Sequence, residues 1–214
     1  MNIIKDIPTL EELNRILFIS KQERFASYIL FRLLAVTGRR LGEFIGIYKN
    51  NNWDLGMTAN DIYPDDNKIM LFVIKVKRTS KGKPIQYKYD KQPNFIPPDL
   101  MDELMSFVKE NNLQPSDYVF RGNHVPSYRT FQRDFTKFRD LAGTKRHNIT
   151  IHSLRHYLVT LLRVEMNMPY EAIAERFTKH RSIDVMKRSY THLEIEKQKD
   201  EIMKDLKHIE GKNV

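Results

Sequence analysis

Apolar positions along the chain recur with two periods, and the changes of period divide it into elements. Thr9-Leu10-Glu11-Glu12 has the capping-box pattern, in which the Thr hydroxyl and the Glu carboxylate each satisfy a free backbone N–H at a helix start. A short helix is expected from there to about residue 20. A second, over about 21–36, carries Phe25, Ile29, Phe31, Leu33 and Leu34 and is apolar enough to be central. Gly38 can end it in a left-handed conformation, with the next helix starting near Arg40. From residue 68 the pattern turns β-like: 69–76 is rich in β-formers and 84–89 alternates in part, around a glycine-containing turn at 77–83. Pro97-Pro98-Asp99 opens a helix with Leu100, Leu104, Phe107 and Val108 on one face. Residues 117–120 form a short extended piece. Ser127 caps a helix reaching residue 141, whose Phe131, Phe135 and Phe138 form a core stripe. Residues 151 to about 164 are helical, with Leu154, Leu158 and Leu161 turned to a core, and Pro169 starts a helix carrying Ile173, Ala174 and Phe177. A polar loop at 178–182 precedes a short helix from about 183. The fold class is mainly α with a small antiparallel β-sheet or hairpin.

Charge narrows the partners. The 214 residues carry a formal net charge of +9, which points to a polyanion such as nucleic acid, or to an acidic surface. Residues 75–91 hold seven Lys or Arg against Asp90 alone, and 121–147 hold seven against two acids, so the excess is local. The tail, 191–214, is nearly balanced and is therefore no basic DNA-binding arm; Leu193, Ile202, Leu206 and Ile209 suit a last helix docked on its own body or on a neighbouring subunit. No apolar run of about twenty residues marks a membrane span, and the N-terminus lacks a signal-peptide pattern. The expected location is cytoplasmic, and no membrane partner is expected. The absence of cysteine excludes disulfides, thiolate zinc sites and cysteine nucleophiles.

Three stretches carry candidate chemistry. In Ile151-His152-Ser153-Leu154-Arg155-His156, helical spacing puts His152, Arg155 and His156 on one face, which suits a phosphate or, equally, a solvated surface. In Thr37-Gly38-Arg39-Arg40-Leu41-Gly42-Glu43, the arginines sit at a helix-to-helix corner beside a glycine, close to a phosphate or simply in solvent. Glu43 can hold Arg40 by a two-pronged ion pair, or be solvated. The basic hairpin either lines a nucleic-acid groove or guards an edge strand against aggregation. Arg129, Arg133, Lys137 and Arg139 form the opposite face of the aromatic helix, suited to a DNA backbone or to solvent. His152 and His156 have zinc-ligand spacing, but the chain has no cysteine and no HExxH motif, so no metal is expected and His156 reads as a packed, hydrogen-bonded support.

Taken in order, Thr37-Gly38-Arg39-Arg40 with Glu43, the basic hairpin, His152-x-x-Arg155, His180 and Tyr190-Thr191-His192 resemble the catalytic domain of the tyrosine recombinase (phage integrase) family over residues 8 to about 195. The resemblance implies that fold, and a catalytic set of Arg40, Lys77 (Lys75 and Lys81 being rivals), His152, Arg155, His180 and the nucleophile Tyr190, without cofactor or metal. Thr178-Lys179 stands where the family has Leu-Gly, and Gly42 where it commonly has Ser. The catalytic domain is expected over 1–193, with 194–214 as a charged tail helix able to contact a neighbouring protomer. The capping box at Thr9 already looks like the start of that domain, so the separate core-binding domain common in the family is expected to be absent.

The implied function is that of an enzyme, a site-specific DNA recombinase or integrase of a mobile genetic element. It would cleave and rejoin strands through a covalent 3′-phosphotyrosyl intermediate and self-associate on double-stranded DNA. Two alternatives share the fold: a DNA-binding module inactive in isolation, and a type IB topoisomerase-like relaxation activity.

Overall fold

A computed structural model describes residues 7–49, 52–77, 86–122, 127–144, 148–179, 183–184 and 186–187. The first helix, α1 (Leu10–Glu23), starts with the expected capping box: Thr9 Oγ1 accepts the Glu12 N–H at 3.2 Å and the Glu12 carboxylate accepts the Thr9 N–H at 2.8 Å. The break before α2 (Phe25–Thr37) falls at Arg24, not near residue 20. Arg24 is extended there and its guanidinium lies 2.6 Å from Asp134, which Ser27 also contacts at 2.7 Å. That tertiary anchor, rather than a local breaker, sets the boundary.

After α3 (Leu41–Ile45), β1 (Ile47–Lys49) pairs antiparallel with β2 (Asn52–Asp54). These strands are too short for any period to show in sequence. A second sheet has the order β3 (Ile62–Tyr63), β4 (Lys68–Lys77), β5 (Gln86–Phe95), antiparallel throughout. The hairpin β4–β5 runs in register from Lys68↔Phe95 to Lys77↔Gln86, longer than the sequence pattern implied. Ile69, Leu71 and Val73 are buried and alternate with half-buried Met70 and Phe72, the signature of a strand with one covered face. Then come α4 (Pro98–Glu110), α5 (Tyr128–Leu141, capped by Ser127), α6 (Ser153–Thr160) and α7 (Tyr170–Ile173). Helices α6 and α7 each run on into a π-helical turn, Leu161–Glu165 and Ala174–Thr178.

Helix α2 is apolar nearly all round and is accordingly central, packed on α1, α4, α5 and α6. Its one charged residue, Arg32, reaches Asp99 and Glu103 on α4. Phe31 meets Phe135 and Phe138 at ring-centroid distances of 5.2 and 6.4 Å, so the aromatic stripe of α5 is core. A second, smaller cluster joins Leu158, Val159 and Leu162 to Tyr170, Ile173, Ala174 and Met186. Leu161, expected in a core, lies at the surface; the wider π turn shifts the helical register so that Leu162 turns inward instead. No helix among the described residues is long and apolar enough to cross a membrane.

Candidate active site

The corner between α2 and α3 lies against α6. Gly38 (φ 62°) closes α2, donating its N–H to Leu34 O at 3.0 Å. A Cβ on Gly38 would stand 2.9 Å from Leu158 Cδ2 and 3.2 Å from Thr178 Cγ2. Glycine alone gives both the left-handed turn and this approach. The Gly38 carbonyl accepts from Arg155 Nη1, which also donates to Thr178 O at 3.0 Å. One guanidinium thus ties the arginine corner, α6 and the segment that leads to residue 180. Arg155 is only 3% exposed. It lies below the face it was expected to share with His152 and His156, drawn in by those two carbonyls.

Arg40 caps α3 with its side chain 43% exposed, and Glu43 Oε2 accepts its backbone N–H at 2.9 Å. Neither expectation for Glu43 is met: its side chain is fully buried rather than solvated, and in place of a two-pronged pair Arg40 Nη1 lies 3.7 Å from Glu43 Oε1. The nearer cation is Arg39, whose Nε lies 3.1 Å from Glu43 Oε2, both side chains being fully buried. This corrects the reading of Arg39 as a solvated or phosphate-contacting residue. The physical reason is local. Thr37 Oγ1 donates to Leu33 O at 2.6 Å and accepts the Arg39 N–H at 3.3 Å, and the chain sends Arg39 inward and Arg40 outward. The signal was present in the sequence: one glutamate follows these arginines at i+4 and i+3, within reach of both.

His152 sits at the head of α6, where Ser153 Oγ accepts the Thr150 N–H at 3.0 Å. Its ring meets that of His156 edge-on, with centroids 4.9 Å apart. One side of His152 faces solvent and the rest is enclosed by protein. That enclosure, then His156, Arg155 and Arg40, push its pKa down to about 4. Burial and the neighbouring positive groups act in the same direction, so the imidazole is neutral near pH 7 in the free protein. Lys179 takes the left-handed conformation that glycine favours (φ 50°).

Of the six residues singled out by sequence, Arg40, His152 and Arg155 come together. Lys77 ends β4, where the structure describes the backbone but not the side chain. Its rival Lys75 is in the same position, while Lys81, His180 and Tyr190 lie outside the described residues. On α5, Arg129, Arg133 and Lys137 are exposed along an open groove of about 820 Å³. Arg139 departs from that face: it is buried, donating to Ile149 O at 2.9 Å and pairing with Asp140 at 2.6 Å. Among the described residues no group of three His, Asp or Glu could hold a metal ion. Arg40 is exposed beside a neutral imidazole, on a corner tied down by Arg155, an arrangement of positive charge and hydrogen-bonding groups that can receive an anion.

A model of the phage integrase family matches residues 8–197. Solved structures share the fold. The XerA recombinase superposes with a TM-score of 0.65 at 19% identity, over 94% of this chain and 65% of that one. XerH site-specific recombinase, in a post-cleavage complex with a palindromic difH substrate, gives 0.62 at 18%, over 92% and 52%. A lambda integrase dimer bound to a COC' core site gives 0.52 at 18%, over 83% and 58%. The chain therefore spans about half to two thirds of the length of these recombinases. No curated protein sequence matches it. The fold is that of a tyrosine recombinase catalytic domain, mainly helical with a small antiparallel sheet, and the chain belongs to the phage integrase family.

Proposed function

We propose that this protein is a site-specific recombinase or integrase that cuts and rejoins double-stranded DNA through a phosphotyrosyl intermediate. The observation that carries the reading is the joining of Arg40, His152 and Arg155 around the Gly38 turn, within a chain of the phage integrase family. In the proposed reaction the exposed Arg40 offers N–H donors and permanent charge to the non-bridging oxygens of the scissile phosphate. Arg155, buried beneath and tied to the Gly38 and Thr178 carbonyls, adds its permanent charge and holds the corner in place. His152 and His180 add hydrogen bonds and move protons. Tyr190, whose phenol has a free pKa of about 10, is activated by this positive field. A neutral imidazole, of His152 or His180, takes the phenol proton as the tyrosine oxygen attacks phosphorus, the bond to O5′ breaks, and Lys77 gives a proton to the departing oxygen. One phosphodiester replaces another, so rejoining needs no external energy source.

The same reading makes 1–193 the catalytic domain and 194–214 a tail that contacts a neighbouring protomer. It places the protein inside the cell on DNA, assembled as a dimer or tetramer; the matched XerH and lambda integrase structures are DNA complexes. The test uses a random-sequence pool of nicked duplexes from which a short cleaved strand diffuses away. Wild type should give DNA adducts that survive denaturant, and Arg40→Ala should reduce them by about two orders of magnitude or more, the scale of lost electrostatic stabilisation of a transition state. Salt-sensitive binding without any adduct would instead support a DNA-binding module.

A further inference from the structure

Arg39 is the largest fully buried side chain of the described residues and plays no part in the reaction proposed above. Its guanidinium spans two elements. Nε lies 3.1 Å from Glu43 Oε2, the carboxylate that also accepts the Arg40 N–H, and Nη2 donates to Phe72 O of β4 at 3.3 Å. Strand β3 pairs with β4 only at Lys68 and Ile69, so Phe72 lies beyond that pairing, on a strand against which α3 also packs. A third element comes close: Lys179 is near enough for the charge of Arg39, after burial, to lower its pKa. Burying a guanidinium is costly, and an aliphatic side chain would fill this space at less expense. What the arginine adds is a directed link between the corner that presents Arg40 and the strand that runs on to Lys75 and Lys77.

We propose that Arg39 is a positioning residue that fixes the hairpin strand β4 relative to the Arg40 corner, so that the hairpin lysine is delivered to the leaving oxygen while Arg40 holds the same phosphate. The proposal rests on the recombinase reading. Phe72 lies five residues before Lys77, about 17 Å along an extended strand, so the link anchors the base of the lever that carries the lysine. Arg39 donates to the carbonyl through Nη2 while Nε stays at ion-pair distance from the carboxylate. A lysine has one ammonium and can keep the pair with Glu43 but not the second arm.

The test compares adduct formation on a duplex that wild type cleaves with the same duplex carrying sulfur in place of the bridging O5′. A thiolate leaves without a proton, so the sulfur substrate does not need the general acid. Arg39→Met and Arg39→Lys should each slow adduct formation about tenfold or more on the oxygen substrate, part of the 10²–10⁴-fold that a positioned acid supplies. On the sulfur substrate both should stay within about threefold of wild type. Arg40→Ala should be slow on both substrates. Arg39→Lys keeps a buried cation beside Glu43, so it serves if Arg39→Met unfolds, as circular dichroism would show. Equal losses on the two substrates, or no loss on either, would overturn the proposal. The underlying reading fails separately, if wild type forms no adduct or if Lys77→Ala, Lys75→Ala and Lys81→Ala all show no sulfur rescue.

Discussion

Replacing Glu43 by glutamine keeps the shape of the side chain and removes its charge. The Arg39 and Glu43 side chains are both fully buried, with the charged atoms 3.1 Å apart, so solvent cannot screen the loss. Removing one partner of a buried pair strands the other charge and costs about 3–5 kcal/mol. The amide oxygen can still accept the Arg40 N–H, so the cap of α3 adds little to this figure. For a chain of this length about 2–4 °C of melting temperature goes with each kcal/mol, so the melt should fall by about 6–20 °C. Urea unfolding with an unchanged m-value gives the free energy directly. The double variant Arg39→Met/Glu43→Leu removes both charges together and should lie within about 2 kcal/mol of wild type, because apolar replacement of a buried pair is often neutral or better. A loss below about 1 kcal/mol in Glu43→Gln, the range of exposed pairs, would refute the desolvated pair and with it the rigid link to β4.

His152 has a folded pKa of about 4 against a free value of 6.5, so folding favours its neutral form. Its contribution to stability is full above about pH 6.5 and is lost as pH falls toward about 4, because the unfolded chain binds more protons there; NMR titration of the imidazole should show this, with the pKa rising when an oligonucleotide binds, and a free-protein pKa near 6.5 would contradict it. Gly38→Ala should cost about 1–2 kcal/mol for the left-handed turn and about 1–3 more for crowding Leu158 and Thr178, read by urea unfolding. Arg155→Lys keeps the charge but cannot hold the Gly38 and Thr178 carbonyls in the same way, so it should lose about 1–3 kcal/mol of stability and reduce adduct yield. Phe135→Ala, at the centre of the aromatic core, should cost about 3–5 kcal/mol in the same urea assay.

Most helices were legible because their signals are local. The Thr9 capping box, the Ser127 cap and the phenylalanine stripe of α5 each act within a turn or two of the chain, and each is found where the sequence put it. What escaped depends on contacts far apart in sequence. The end of α1 is set by Arg24 reaching Asp134, and the π turn that turns Leu161 outward leaves no periodic trace. At the site, residue types and spacing pointed to Arg40, His152 and Arg155, but not to their depth. Arg155 is buried because two carbonyls distant in sequence converge on it, and Arg39 because a strand carbonyl waits at the end of its reach. Arg139 likewise left the basic face of α5 for the Ile149 carbonyl.

The central claim is a covalent bond between DNA and Tyr190. The direct measurement is to isolate the denaturant-resistant adduct from the nicked-duplex reaction, digest it with protease and nuclease, and map the nucleotide-bearing peptide by mass spectrometry. The account predicts that the nucleotide remnant sits on Tyr190 through a 3′-phosphate and that Tyr190→Phe binds DNA but forms no adduct. A remnant on any other residue, or an adduct that persists in Tyr190→Phe, would contradict it.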